Sequence, residues 1–71
     1  MKIYTSKSCL NCIAIKQLLL KNNITFEEID GTTTKSVAYL RARKVPLQLP
    51  IIEENGKFLT FDQYITEHST L

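Results

Sequence analysis

Lys2-Ile3-Tyr4-Thr5-Ser6-Lys7-Ser8-Cys9-Leu10-Asn11-Cys12 is the stretch whose reading decides the fold. Lys2–Thr5 is short and β-prone, which predicts a first strand over 2–5. Ser6-Lys7-Ser8 breaks that pattern. From Leu10 to Lys21 the periodicity becomes helical. Ala14, Ile15, Leu18 and Leu19 recur at helical spacing, and Lys16, Gln17 and Lys21 take the opposite face. Asn22-Asn23 supplies the stop, because Asn tolerates the left-handed conformation that ends helices. Cys9 and Cys12 therefore fall where a strand hands over to a helix.

Working outward, residues 24–29 (Ile-Thr-Phe-Glu-Glu-Ile) alternate enough for a second strand, and Asp30-Gly31 is a turn signal. Thr32, Thr33 and Thr34 are N-cap candidates for a second helix over about residues 35–43. Val37 and Leu40 should face the core, with Tyr39 at its boundary. Pro46 and Pro50 bias the residues before them away from helix, so Val45 to Pro50 reads as extended. Leu49-Pro50-Ile51-Ile52 reads as the start of a third strand, Asn55-Gly56 as a hairpin turn, and Lys57-Phe58-Leu59 as a fourth strand. Thr60-Phe61-Asp62-Gln63 fits a capping box that opens a last helix to about Glu67. The order β-α-β-α-β-β-α predicts an α/β fold, a four-stranded mixed sheet with helices on both faces.

With 71 residues, one domain over 1–71 is the only sensible count, and its core must be thin. At 44% hydrophobic and 23% charged the chain is too apolar to be disordered. A net charge of +2, spread along the chain, is no nucleic-acid footprint. No segment is long and apolar enough to span a membrane. Met1 leads straight into the first strand with no apolar leader, so a cytoplasmic location is expected. Thiols are kept reduced there, which makes the two cysteines poor candidates for a permanent bridge.

Their spacing and place carry the chemistry. A helix start bears partial positive charge and unpaired N–H groups, which favour a thiolate over a thiol. Cys9 should sit at or beside the N-cap, and Cys12 within the first turn, near the other sulfur. Lys7 and Lys16 add positive potential. Cys9 then attacks a substrate disulfide and Cys12 resolves the mixed disulfide. A zinc site would need two more ligands, and the chain holds no third Cys and a single His, His68, so no metal is expected. Inert core cysteines are the plainer alternative, but Ser8 and Asn11 suit a polar, accessible loop. Leu10, Asn11, Leu49 and Pro50 are the candidate substrate-binding residues. A substrate chain can pair with an exposed backbone edge beside the thiols, and Pro50 is better placed than Pro46 to border one. It is either a cis proline there or an ordinary trans proline at a strand start. Tyr4 either flanks the thiols or packs in the core. Phe58, Phe61 and Tyr64 should fill the sheet–helix interface, and His68 should be a solvated tail residue.

Ile3-Tyr4-Thr5, Cys9-x-x-Cys12 and Lys16, with Leu49-Pro50-Ile51-Ile52 and Asn55-Gly56, together resemble the glutaredoxin-like branch of the thioredoxin superfamily. The resemblance covers nearly the whole chain and implies that Pro50 is cis and borders the site. Glutaredoxins typically carry Pro-Tyr between the cysteines, where this chain has Leu10-Asn11. They also carry a Gly-Gly pair near the position of Thr60-Phe61, where side chains should obstruct glutathione. The Tyr4-Thr5 start and Gln48-Leu49-Pro50 are most similar to NrdH-type redoxins. That likeness implies a thioredoxin/glutaredoxin-like fold and a protein-disulfide oxidoreductase, and a monomer is the default expectation for an electron carrier that must expose its site. Its working group is the redox-active disulfide, with no bound cofactor. It implies thioredoxin reductase as electron source, rather than glutathione, and ribonucleotide reductase as a target. The alternative is a redox-sensing binding module, since the same motifs resemble the arsenate-reductase/Spx family. Those chains carry a helical insertion before the proline strand, for which this chain has no room.

Overall fold

Strand β1 (Lys2–Thr5) presents Ile3 to one side of the sheet and Tyr4 to the other, and both are buried. A strand buried on both faces must lie inside a sheet that is covered on both sides. The computed structural model describes residues 1–67, and in it β1 is indeed central. Helix α1 (Leu10–Lys21) follows β1, then β2 (Glu27–Asp30), α2 (Thr34–Ala42), β3 (Ile51–Glu54), β4 (Lys57–Thr60) and α3 (Phe61–Glu67). The strand order is β2-β1-β3-β4. β1 pairs parallel with β2 and antiparallel with β3, and β3 pairs antiparallel with β4. The expected α/β architecture with a four-stranded mixed sheet is therefore present.

Two hydrophobic layers hold it together. Ile3 stands opposite Ile52, and these two pack with Ile15 and Leu19 of α1 and Tyr64 of α3. On the other face Tyr4 stands opposite Ile51, and they pack with Leu40 of α2. Phe61 joins the first layer and Phe58 the second, as expected of them.

The element ends differ from the periodicity in instructive ways. Residues 24–26 are not strand. Asn23 takes the left-handed conformation (φ 57°), and the N–H groups of Asn23 and Ile24 donate to the carbonyls of Leu20 and Leu19. This closing motif absorbs the end of α1, so the ladder begins only at Glu27. Lys44 (φ 59°) ends α2 in the same way, with Lys44 and Val45 donating to Arg41 and Leu40. Helix α2 starts at Thr34, one residue before the expected start, capped by the Thr33 hydroxyl on the Ser36 N–H. β3 starts at Ile51 because Pro50 has no N–H to offer a ladder. Ala14 is exposed and Leu18 and Val37 only half-buried, so α1 and α2 bury narrower faces than their periodicity suggests.

Two short-range signals read as expected. Asn55 and Gly56 both have positive φ, as a tight hairpin turn requires. Thr60 and Gln63 exchange hydrogen bonds between side chain and backbone N–H, at 3.0 and 3.2 Å. Among the described residues no helix is long and apolar enough to cross a membrane. His68 lies outside them.

A chain of 71 residues has a stability of roughly 4–11 kcal/mol. Truncating Ile52, which is fully buried at the centre of the first layer, should cost about 2–5 kcal/mol. Leu20, 66% exposed, should cost no more than about 0.5 kcal/mol when changed to Ala. Urea unfolding of Ile52→Ala and Leu20→Ala checks this. Equal losses in the two variants would contradict the layered core described here.

Candidate active site

The carboxyl end of β1 and the start of α1 bring the two sulfurs to one end of the sheet. Cys9 is the N-cap residue of α1, with extended backbone (φ −98°, ψ 112°). Its Sγ accepts the Cys12 N–H at 3.1 Å, so a free donor of the first turn is spent on this sulfur. Cys9 is partly exposed, while Cys12 is 1% exposed and lies behind it. The two thiols are free in this structure.

The environments of the sulfurs differ. Burial pushes the Cys12 thiol up to about 11, reinforced by its hydrogen bond and charge interaction with Cys9. A backbone hydrogen bond at Ser6 and the Lys16 ammonium oppose the rise without cancelling it. At pH 7 Cys12 is then held as the thiol. Cys9 has the helix-start position and the access that a nucleophile needs.

The second wall is the loop before β3. The Leu49–Pro50 peptide bond is cis, and the Leu49 carbonyl lies 3.8 Å from the Cys9 sulfur. Pro50 is buried and Leu49 half-buried. Pro46 is an exposed loop residue whose carbonyl accepts the Gln48 N–H. Leu10 (81% exposed) and Asn11 stand beside Cys9, so the structure gathers the cysteines, Leu10, Asn11, Leu49 and Pro50 around one spot.

The supporting residues divide. Lys16 acts on Cys12, and its Nζ also pairs with Glu28 of β2 at 2.9 Å. Glu28 accepts in addition from the buried Thr5 hydroxyl at 2.8 Å. Both partners hold the Glu28 carboxyl below the usual carboxylate range. The Thr32 hydroxyl and N–H donate to Asp30 at the end of β2 and hold its carboxyl low, and the charge of Lys7 adds to this. Lys7, Lys16, Glu28 and Asp30 line a groove of about 470 Å³ beside the first turn of α1. Tyr4 belongs to the α2 face, not to the thiols. Its ring stacks on Tyr39, and its hydroxyl donates to Glu53 at 2.8 Å. Of its two readings, core packing is the one the structure supports.

Sequence reasoning missed Glu28 and Glu53. Glu53 accepts from the hydroxyls of both Tyr4 and Tyr39. Its signal was alternation: Ile51 and Glu53 share a face of β3, opposite Tyr4 and Lys2. Among the described residues no three His, Cys, Asp or Glu side chains converge in a way that would hold a metal ion. Comparison with protein-family models, with curated proteins and with solved structures finds no match to this chain.

Cys12 and two tyrosines give a sign for the pH dependence of stability. Burial raises all three, Tyr4 strongly, with Glu53 adding to Tyr4 and Glu54 to Tyr64. Each keeps its proton in the folded chain at a pH where the unfolded chain has lost it. The Cys12 contribution is thus complete below about pH 9 and lost as the pH climbs through 11, while that of the two tyrosines starts to fall only above about pH 10. The melting temperature should fall steadily above pH 9, and less steeply in Cys12→Ala. A flat profile to pH 11 would contradict the burial assigned to these groups.

Proposed function

We propose that this chain is a small redoxin. In this reading it is a protein-disulfide oxidoreductase of thioredoxin/glutaredoxin-like fold, with Cys9 and Cys12 as its redox centre. The observation that carries the reading is the inequality of two sulfurs at one helix start, one accessible and one buried behind it.

Cys9 attacks one sulfur of a substrate disulfide. A Cys9–substrate bond forms, the substrate S–S bond breaks, and the departing thiolate takes up a proton. Cys12 then attacks the Cys9 sulfur. The Cys9–Cys12 disulfide forms, the second substrate thiol leaves, and the proton shed by Cys12 goes to it. Substrate is reduced by two electrons and the dithiol is oxidised by the same two. The raised Cys12 thiol makes the second step wait for a proton acceptor, and the leaving substrate sulfur beside it is suited to that role.

Protein disulfides fit the surroundings better than small ones. Leu10, Ile13 and Leu47 are large apolar side chains left exposed on the first turn of α1 and the proline loop. Exposed apolar side chains on the two segments that flank Cys9 suit a polypeptide partner. At the β4–α3 junction Thr60 and Phe61 carry side chains, and the N–H groups of Thr60 and Gln63 are already hydrogen-bonded within the capping box. Few donors remain there for a small peptide such as glutathione. This favours the NrdH-like assignment, with thioredoxin reductase as electron source and ribonucleotide reductase among the targets.

Insulin reduction followed by NADPH consumption tests this, one arm with thioredoxin reductase and one with glutathione and glutathione reductase. Turnover is expected in the first arm alone. Cys9→Ser should abolish it, and Cys12→Ser should accumulate a mixed disulfide through Cys9. Turnover only with glutathione would overturn the choice of reductant. No turnover in either arm, with an oxidation-dependent grip on a large partner, would favour the Spx-like sensing module instead.

A further inference from the structure

Gly31 is buried at the turn between β2 and α2, and its surroundings raise the question of why a glycine stands there. A turn glycine is usually explained by a left-handed backbone. That explanation fails here, since Gly56 is the only described glycine with positive φ. The backbone of Gly31 would accept any residue, so the constraint is space.

A Cβ at this position would lie 2.7 Å from Leu49 Cδ2, 3.2 Å from Leu49 Cδ1 and 3.3 Å from Tyr4 Cβ. Gly31 cannot retreat easily, because its N–H donates to the Thr5 carbonyl at 2.8 Å, one step beyond the β1–β2 register. Tyr4 cannot retreat either, being held in β1 and by its stack on Tyr39. Leu49 is the part able to move. Its side chain is half-buried against the layer of Tyr4, Leu40 and Ile51, and its carbonyl is the one beside the Cys9 sulfur.

We propose that Gly31 is a positioning residue for the thiol site: the space left by its absent side chain seats the Leu49 side chain, and that seat holds the Leu49 backbone against Cys9. The proposal rests on the disulfide-exchange reading and extends it to a residue on a different element. Methyl tips are mobile, so an added Cβ turns Leu49 toward solvent instead of breaking the fold. The loop backbone then loses its anchor on β1. Two readouts follow. The carbonyl that accepts the Cys9 thiol proton moves away, which changes how fast Cys9 is alkylated. The backbone edge offered to a substrate chain also moves, which weakens binding more than the chemical step.

A double-mutant cycle tests this with wild type, Gly31→Ala, Leu49→Ala and the double variant. Cys9 alkylation by iodoacetamide is followed from pH 5 to 9, with Cys12→Ser added to all four. In the Cys12-containing proteins KM and kcat for insulin reduction are measured, with thermal melts. Gly31→Ala should raise KM about fivefold while kcat changes less than about twofold, and should shift the Cys9 alkylation profile. In the Leu49→Ala background the same change should do neither. A Gly31→Ala protein that unfolds but is restored by Leu49→Ala would also support the seat. A folded Gly31→Ala protein with wild-type KM and profile would overturn it. So would an effect of equal size, or equal loss of fold, in both backgrounds. If the wild type reduced no disulfide, the oxidoreductase reading would fail, and the alkylation profile would still report whether Gly31 and Leu49 are coupled.

Discussion

Strand β1 has to be covered on both faces, and the rest of the molecule depends on that requirement. Ile3 and Tyr4 point to opposite sides and neither reaches solvent. One side calls for α1 and α3, the other for α2, and partners on both edges complete the ladder of β1. So short a chain reaches this with four-residue strands and with helices that bury only a few side chains each. The covered strand ends at Thr5, and the next element begins at Leu10. The sulfurs thus stand directly beyond a strand that is covered on both faces, a rigid support for a site that needs fixed geometry.

The same packing makes the two cysteines unequal. Cys12 lies on the buried side of the first turn, among groups that disfavour its charged form. Cys9 caps the helix and remains reachable. In the proposed exchange this inequality gives the dithiol a direction: one sulfur would meet the partner and the other complete the exchange from behind. The Leu49–Pro50 loop closes the far wall, and its side chain is set against Gly31 and Tyr4 of other elements. The geometry at Cys9 is thus shared among α1, the proline loop and the β2–α2 turn.

Much of this was legible in the residues because the signals were local. The Cys-x-x-Cys spacing at a strand–helix junction, the Asn55-Gly56 turn and the Thr60–Gln63 box each depend on neighbours a few positions apart. What escaped depended on contacts between distant segments. Residues 24–26 alternate like a strand, yet the closing motif of α1 takes Ile24 and the ladder begins only at Glu27. Tyr4 was equally compatible with the site and the core until Glu53 and Tyr39, remote in sequence, were placed beside it. Gly31 read as a turn glycine because a sequence does not reveal which side chain fills the space above it. Glu28 carried no signal of its own, because its partner Lys16 reaches it only once α1 lies beside β2.

The central claim is that Cys9 and Cys12 form a reversible two-electron couple within one chain. Equilibrating the protein across a series of oxidised-to-reduced dithiothreitol ratios, then acid-quenching, alkylating and weighing it, tests this most directly. The account predicts a single reversible transition between a form alkylated at both cysteines and a monomer carrying a Cys9–Cys12 disulfide. Chains that stay fully alkylatable at every ratio, or that oxidise only into disulfide-linked dimers, would contradict it.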